Sequence, residues 1–307
     1  MELILHNNPR SMFSEKVRRV LAYKSLDWTD IEVSPVPPKT DFVPLTGGYR
    51  RMPVLQIGAD VYCDSALIIR KLERIAPTPT VFPAESAGRA EMIADWADHR
   101  VALWAIIAVF PDYLQKVPEA FIRDRSALIP DLAPERVRVL APHALEQFNQ
   151  FVRFVDLALG AGPFVAGSAF SVADAACYHV INLTQANERV FAGPAACPRI
   201  VAWLERIAAF QAPHVRRQPT GYPLDVAQAS TPVDLGTVDQ NPVGLVLGDA
   251  VTIAADDYAT NLIAGELVKL TADEAAIRQC TERLGEIVIH FPRLGYRLAR
   301  ANSAGAH

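Results

Sequence analysis

The sequence predicts a small α/β layer, then an all-helical domain, then a small β-rich unit. Three observations carry this reading. Short apolar runs alternate with helix-like spacing over about the first 80 residues. From about Ser86 to Ala212 nearly every apolar pattern has helical period, and beyond Gly244 β-branched runs punctuated by glycine return. Half of the 307 residues are hydrophobic, enough for more than one core.

The first layer follows from its residues in order. "ELILH", bounded by Asn7, Asn8 and Pro9, reads as a buried strand and a turn. Phe13, Val17, Val20 and Leu21 then share one helical face. "DWTDIEVSPV" reads as a second strand running into a proline-rich loop, and "MPVLQIGADVYCD" as two strands joined at Gly58 to Asp60. "SALIIRKLERIAP" is a helix opening at Ser65 and ended by Pro77.

Long helical patterns follow, among them "AGRAEMIADWADHRVALWAIIAVF" and "PERVRVLAPHALEQFNQFVRFVDLAL". The next segment, rich in Pro, Gln, Ser, Thr and Gly, marks a linker or strap. "GELVKL" and "GEIVIHFPRLGYRLA" read as strands, while "TADEAAIRQ" fits a capped helix start at Thr271 as well as a hairpin strand through Ile277. A small barrel is one arrangement for this unit, and it is expected to dock on the helical domain; Tyr258, Phe291 and Tyr296 could cover the cleft or pack a dimer, but the barrel's own core is their simpler home. The expected divisions are 1–80 for the first domain, 86–213 for the helical one, 214–243 for the strap and 244–302 for the β-rich unit.

Composition excludes several functions. The net charge of -4, with Lys and Arg scattered, gives no basic face for a phosphate backbone, so nucleic acid is not an expected partner. The apolar stretch "VALWAIIAVF" ends at Pro111 at roughly half the length of a bilayer span, so no membrane association is expected. The N-terminus lacks the charged start and long apolar run of a signal peptide. Cys63, Cys177, Cys197 and Cys280 form no CxxC pair, which reads as free buried thiols in a reducing, cytoplasmic compartment. The seven histidines make no HExxH or close pair, and no metal site is expected.

Three stretches together resemble the cytosolic glutathione transferase family. "SMFSEKVRRVL" is similar to its Ser/Cys-x-x-Ser-x-Lys/Arg-Val-Arg motif. "RRMPVLQIGADVYCDSALIIRKLE" is similar to its Val-Pro-x-Leu, hairpin and Glu/Asp-Ser-x-x-Ile run, and "GPFVAGSAFSVADAACY" with "CPRIVAWLERIAA" to its helix-capping segment and last core helix. The resemblance covers residues 1 to about 213, and residues 214–307 match nothing in the two-domain layout. Met12 stands where the family often has Pro. The resemblance implies a thioredoxin-like, glutathione-binding N-terminal domain, an all-α domain, glutathione as co-substrate in the cleft between them, a small electrophile as second substrate, and a homodimer acting in detoxification.

A free thiol with its pKa near 8.5 is only a few per cent thiolate at neutral pH, and lowering it by two units takes about 2.7 kcal/mol of preferential stabilisation. A helix N-terminus gives an adjacent anion roughly 0.3–1 kcal/mol, and a hydrogen bond to a charged group about 1.5–3. Ser11 stands where a strand-to-helix turn presents both, although capping the helix is an equally good use for its hydroxyl. The resemblance favours the thiol-contacting role for Ser11, with Ser14 as second choice. It further implies a cis Pro53 that turns the Met52 backbone toward a peptide-like ligand. By the same resemblance Arg51 meets the glycyl carboxylate, and Asp64 and Ser65 meet the γ-glutamyl ammonium and carboxylate. Ser171 and Asp174 form an S-x-x-D box that reads as a structural cap. Trp104, Phe110 and Tyr113 are the aromatic candidates for the electrophile. The alternative is a non-catalytic glutathione-family protein that binds a ligand or partner through its C-terminal β unit.

Overall fold

The computed structural model describes residues 1–237 and 244–301; residues 238–243 of the expected strap and residue 302 lie outside the described residues. Two compact units emerge. One comprises Met1–Ser14, Asp27–Lys71 and the chain from His214, the other Glu15–Leu26 and Leu72–Pro213. In chain order, β1 (Ile4–Asn7), α1 (Met12–Tyr23), β2 (Trp28–Glu32), α2 (Val43–Thr46), β3 (Val54–Ile57), β4 (Asp60–Cys63) and α3 (Ser65–Ile75) come first. The helical region contains α4 (Ala87–Trp96), α5 (Ala102–Tyr113), α6 (Glu119–Leu128), α7 (Pro134–Leu159), α8 (Val172–Asn182), α9 (Glu188–Ala195) and α10 (Pro198–Ala208). Then follow β5 (Val215–Arg217), α11 (Tyr222–Gln228), β6 (Ala250–Ala255), β7 (Ile263–Leu270), β8 (Glu274–Thr281), β9 (Gly285–Pro292) and β10 (Tyr296–Arg300).

The first unit is built on one sheet of ten strands in the order β10-β6-β7-β8-β9-β4-β3-β1-β2-β5. The order is linear, with β10 and β5 at its edges, so the C-terminal strands extend a sheet instead of closing a barrel. β9 pairs parallel with β4, from Asp60 opposite Val288 to Tyr62 opposite His290, and β5 pairs parallel with β2. The backbone hydrogen bonds of the C-terminal segment thus run to the thioredoxin-like layer, where docking on the helical domain was expected. The physical reason is that β2 and β4 would otherwise present unpaired N–H and C=O groups at both edges of a four-stranded sheet. "TADEAAIRQ" resolves as strand, because Thr271 Oγ1 accepts the Glu274 N–H in a turn at 3.1 Å and β8 begins there.

Alternation along the strands sorts two faces. Ile4, Val54 and Val61 share one apolar core with Ile277, Ile289 and Phe291 from the C-terminal strands. Asp60, Tyr62 and His290 alternate with these residues and project to the opposite face. There the His290 ring stacks on Tyr62, with centroids 4.3 Å apart, and its nitrogens meet Glu274 at 2.6 Å and Asp60 at 3.1 Å. Lys269 bridges Asp234 and Glu274 at 2.5 and 3.2 Å, Lys71 reaches Asp234 at 2.7 Å, and the Tyr62 hydroxyl donates to Asp234 at 2.8 Å. Burial pushes the Asp234 carboxyl upward, but hydrogen bonds from Lys269, Lys71 and Tyr62 outweigh it and hold the group well below the usual carboxylate range.

The helical unit is held by a comparable buried device. A π-helical turn at Ala97–Val101, between α4 and α5, carries Asp98, which accepts from the Lys16 ammonium and from His179 Nε2, the latter at 2.7 Å. Burial opposes ionisation of Asp98, yet Lys16 and His179 prevail and hold its carboxyl at about 2. Lys24, also buried, donates to the carbonyls of Ala76 and Pro79 just past the end of α3, at 2.7 and 2.8 Å.

Two outcomes follow from these burials. Lys269→Met leaves Asp234 and Glu274 short of a counter-charge and should cost about 3 kcal/mol in urea denaturation, whereas breaking the exposed Arg123–Glu119 pair with Arg123→Ala should leave the midpoint in place. His6 is buried with Nε2 at 2.9 Å from Gln56 Oε1; burial lowers its pKa from 6.5 to about 4, the hydrogen bond only partly opposing this. The unfolded chain therefore binds a proton near pH 6.5 that the folded chain refuses until pH 4, so stability is full above 6.5 and about 3 kcal/mol is lost on the way down to 4. Urea midpoints across that window should fall less steeply in His6→Gln than in the parent.

Candidate functional site

Strand register gathers the sequence-predicted residues of the first unit at one end of the sheet. β1 and β3 pair antiparallel with His6 opposite Val54, and β3 and β4 with Val54 opposite Cys63. The turn after β1, the residues just before β3 and those just after β4 therefore meet: Ser11, Met52–Pro53 and Asp64–Ser65. The parallel β4–β9 pairing brings the exit of β9 and the start of β10 to the same end.

Ser11 immediately precedes α1, and its Oγ accepts the Ser14 N–H at 3.2 Å. That is an N-cap, and it uses an oxygen lone pair; the hydroxyl hydrogen is still available to donate to an anion. The cap and the thiol contact are thus compatible uses of one group. Ser14 is fully buried and its Oγ accepts the Asn8 N–H at 3.4 Å, tying the turn to the helix. Asn8 reinforces the turn from its other side by accepting the Arg10 N–H at 3.0 Å and donating to the Val33 carbonyl at 3.0 Å.

The Met52–Pro53 peptide bond is cis. Asp64 takes a left-handed backbone, φ 74°, between β4 and α3, and its Oδ1 accepts the Ala66 N–H at 2.9 Å while Ser65, buried, opens the helix. The Arg51 guanidinium donates through its two terminal nitrogens to the Asp257 carboxylate and the Tyr258 carbonyl and lies 3.8 Å from the Tyr258 ring centroid, while its buried Nε meets no partner among the described residues. Tyr296 donates to Asp64 Oδ2 at 3.1 Å, and the Tyr49 hydroxyl lies 3.0 Å from that of Tyr296.

Asp257 was not among the residues expected to touch this site, and for Tyr258 and Tyr296 a place over the cleft was only the second choice after a barrel core. No local signal marks them, because the pairing of distant strands brings them to it. α2, a helix not among the expected elements, does have a signature, with Pro44 near its start and Gly47 in the left-handed conformation at its end.

In the helical unit, Ser171 and Asp174 form the reciprocal capping box at the start of α8, and Asp174 also accepts the Val165 N–H at 2.7 Å and the Trp203 indole N–H at 2.9 Å. Burial raises the Asp174 carboxyl, these hydrogen bonds only partly offsetting it. Of the aromatic candidates, Phe110 is buried in the core of its unit beside Phe121. Trp104 and Tyr113 are half-buried, with Arg100 5.2 Å from the Trp104 ring and Lys116 5.9 Å from that of Tyr113. Cys63 and Cys177 are buried as expected, whereas Cys197 is half-buried and Cys280 exposed. Among the described residues Asp234, Glu274 and His290 are close enough to share a cation, but the Lys269 ammonium already bridges the two carboxylates. No helix among the described residues is long and apolar enough to cross a membrane.

Comparison with known proteins agrees with this geometry. Residues 5–80 match the glutathione S-transferase N-terminal domain, and residues 94–206 the glutathione S-transferase C-terminal domain. A GST-like protein from Pseudomonas syringae is 31% identical over 97% of this chain and 99% of its own, with a TM-score of 0.76. The chain belongs to the glutathione transferase family. Glutathione S-transferase TCHQD of Arabidopsis thaliana is 28% identical over 196 residues, 55% of this chain and 72% of that one. A rice glutathione transferase, solved in complex with glutathione, shares the fold at 19% identity and a TM-score of 0.52, over 68% of this chain and 86% of its own. The match to the Pseudomonas protein spans 97% of this chain and so reaches beyond the two family domains into the C-terminal strands. Membership in the family supports glutathione-dependent transfer in general.

The cap at Ser11 is separable from its chemistry. Ser11→Ala should cost about 1 kcal/mol of stability and Ser11→Gly only a few tenths, measured by thermal melting without any ligand.

Proposed function

We propose that this protein is a glutathione-dependent transferase in which Ser11 donates a hydrogen bond to the glutathione sulfur and holds it as a thiolate. The single observation behind this is that the Ser11 oxygen caps α1 by accepting, which orients the hydroxyl and keeps its hydrogen for a donor's task. The thiolate attacks an electrophilic carbon of a small substrate; a carbon–sulfur bond forms, and in a substitution the leaving group departs with the bonding electron pair. In this reading the Met52 backbone pairs with the peptide and Ser65, at the start of α3, holds the γ-glutamyl carboxylate. Trp104 and Tyr113 are the proposed contacts for the electrophile. A cytoplasmic homodimer acting in detoxification belongs to this reading through the family alone.

The decisive experiment measures thiol conjugation to an activated aryl halide together with calorimetric binding of glutathione. Ser11→Ala should lower kcat by about 10- to 100-fold, the worth of one hydrogen bond to a charged group, while glutathione affinity changes by no more than a few fold. Absence of thiol-dependent turnover in both proteins, with glutathione still bound, would instead favour a non-catalytic ligand-binding role.

A further inference from the structure

The residues at the end of the sheet are tied to a part of the chain that neither family domain covers. Tyr296 opens β10, beyond residues 5–80 and 94–206, yet its hydroxyl donates to Asp64 Oδ2 at 3.1 Å. A phenol has one hydrogen. Because Tyr296 gives it to Asp64, the 3.0 Å contact with Tyr49 must have Tyr49 as donor, and the chain runs Tyr49 to Tyr296 to Asp64. Burial, reinforced by the neighbouring Asp64 charge, pushes both phenols well above their ordinary pKa, so both hydrogens stay in place at working pH.

Asp64 is therefore held from two sides. Oδ1 accepts from the first turn of α3, at the Ala66 N–H, and Oδ2 accepts from β10, which fixes the plane of the carboxylate. A carboxylate oxygen has two acceptor directions, so each still has one for a ligand. The connection between β6 and β7 steadies the segment before Pro53: Asn261 donates to the Gly48 carbonyl at 2.8 Å, and Asp257 and Tyr258 engage Arg51.

We propose that Tyr296, backed by Tyr49, is a positioning residue that presents the Asp64 carboxylate to the free α-ammonium of the γ-glutamyl end of glutathione. The C-terminal strands thereby set the preference for a thiol peptide with an unblocked amino group. This rests on the glutathione reading above, and the chemistry that distinguishes it is the ligand's amino group, since an N-acylated glutathione keeps the thiol and both carboxylates but has no ammonium for Asp64.

The test is isothermal titration calorimetry of the full chain with reduced glutathione and with N-acetylglutathione. Tyr296→Phe removes one oxygen and keeps the ring. It should weaken glutathione binding about tenfold and leave N-acetylglutathione within twofold of the parent. Tyr49→Phe should shift glutathione binding in the same direction by a smaller factor, and it decides the matter if Tyr296→Phe does not fold. Parental glutathione affinity in the phenylalanine variants overturns the inference, as does an equal loss for both ligands, which marks a merely structural role. If the parent protein itself binds no glutathione, the underlying reading fails and takes the inference with it; parental binding with unaffected variants sinks the inference alone.

Discussion

The constraint on which this structure depends is the need to satisfy the backbone at the edge of β4. A four-stranded layer ordered β4-β3-β1-β2 ends in two open rows of N–H and C=O groups. Here β9 closes the β4 edge and β5 the β2 edge. Because β9 runs parallel to β4, both strands finish at the same end of the sheet. That is the end where Ser11, Pro53 and Ser65 already meet, and so edge closure delivers C-terminal side chains to the candidate site as a geometric consequence.

Charge burial makes the seam specific. An apolar face alone excludes a one-residue slip between β4 and β9 but tolerates a slip by two, since Ile, Val and Leu interchange at little cost. On the opposite face, Asp60 from β4 meets His290 from β9, which meets Glu274 from β8, which meets Lys269 from β7. A shift by two residues would keep Asp60 and His290 on this face but part them, leaving each buried without the other. The buried polar chain is thus better understood as a register lock than as a source of net stability, since the desolvation of such groups offsets much of their attraction.

The same extension changes how a family motif is used. Arg51 stands where a basic residue precedes the cis proline, and a free guanidinium there has a carboxylate ligand as its natural partner. In this chain Asp257 supplies that carboxylate internally, and the Tyr258 ring covers the guanidinium. The internal ion pair ties the segment before Met52 to the β6–β7 connection. Residue type alone does not assign a role to a position.

Much of this was legible in the sequence, for local reasons. The short apolar runs "VLQI" and "DVYC" with the Gly58 turn between them, the helical period after Ser11 and Ser65, and the S-x-x-D box at Ser171 and Asp174 are each specified within a few residues, and each is present in the structure. The helix start at Ser11 was readable because helix-start chemistry is short-range, whereas the cis Met52–Pro53 bond was implied by the family resemblance. What the sequence left open depends on separations of about 200 residues: whether the C-terminal strands close on themselves or continue another sheet, which strand receives them, and whether Tyr296 belongs to a core or to a site. Strand pairing is non-local, and nothing in "GYRLA" records the strand order that delivers its tyrosine to Asp64. Local spacing therefore determined the elements and the family, and tertiary closure of a sheet edge decided which side chains complete the candidate site.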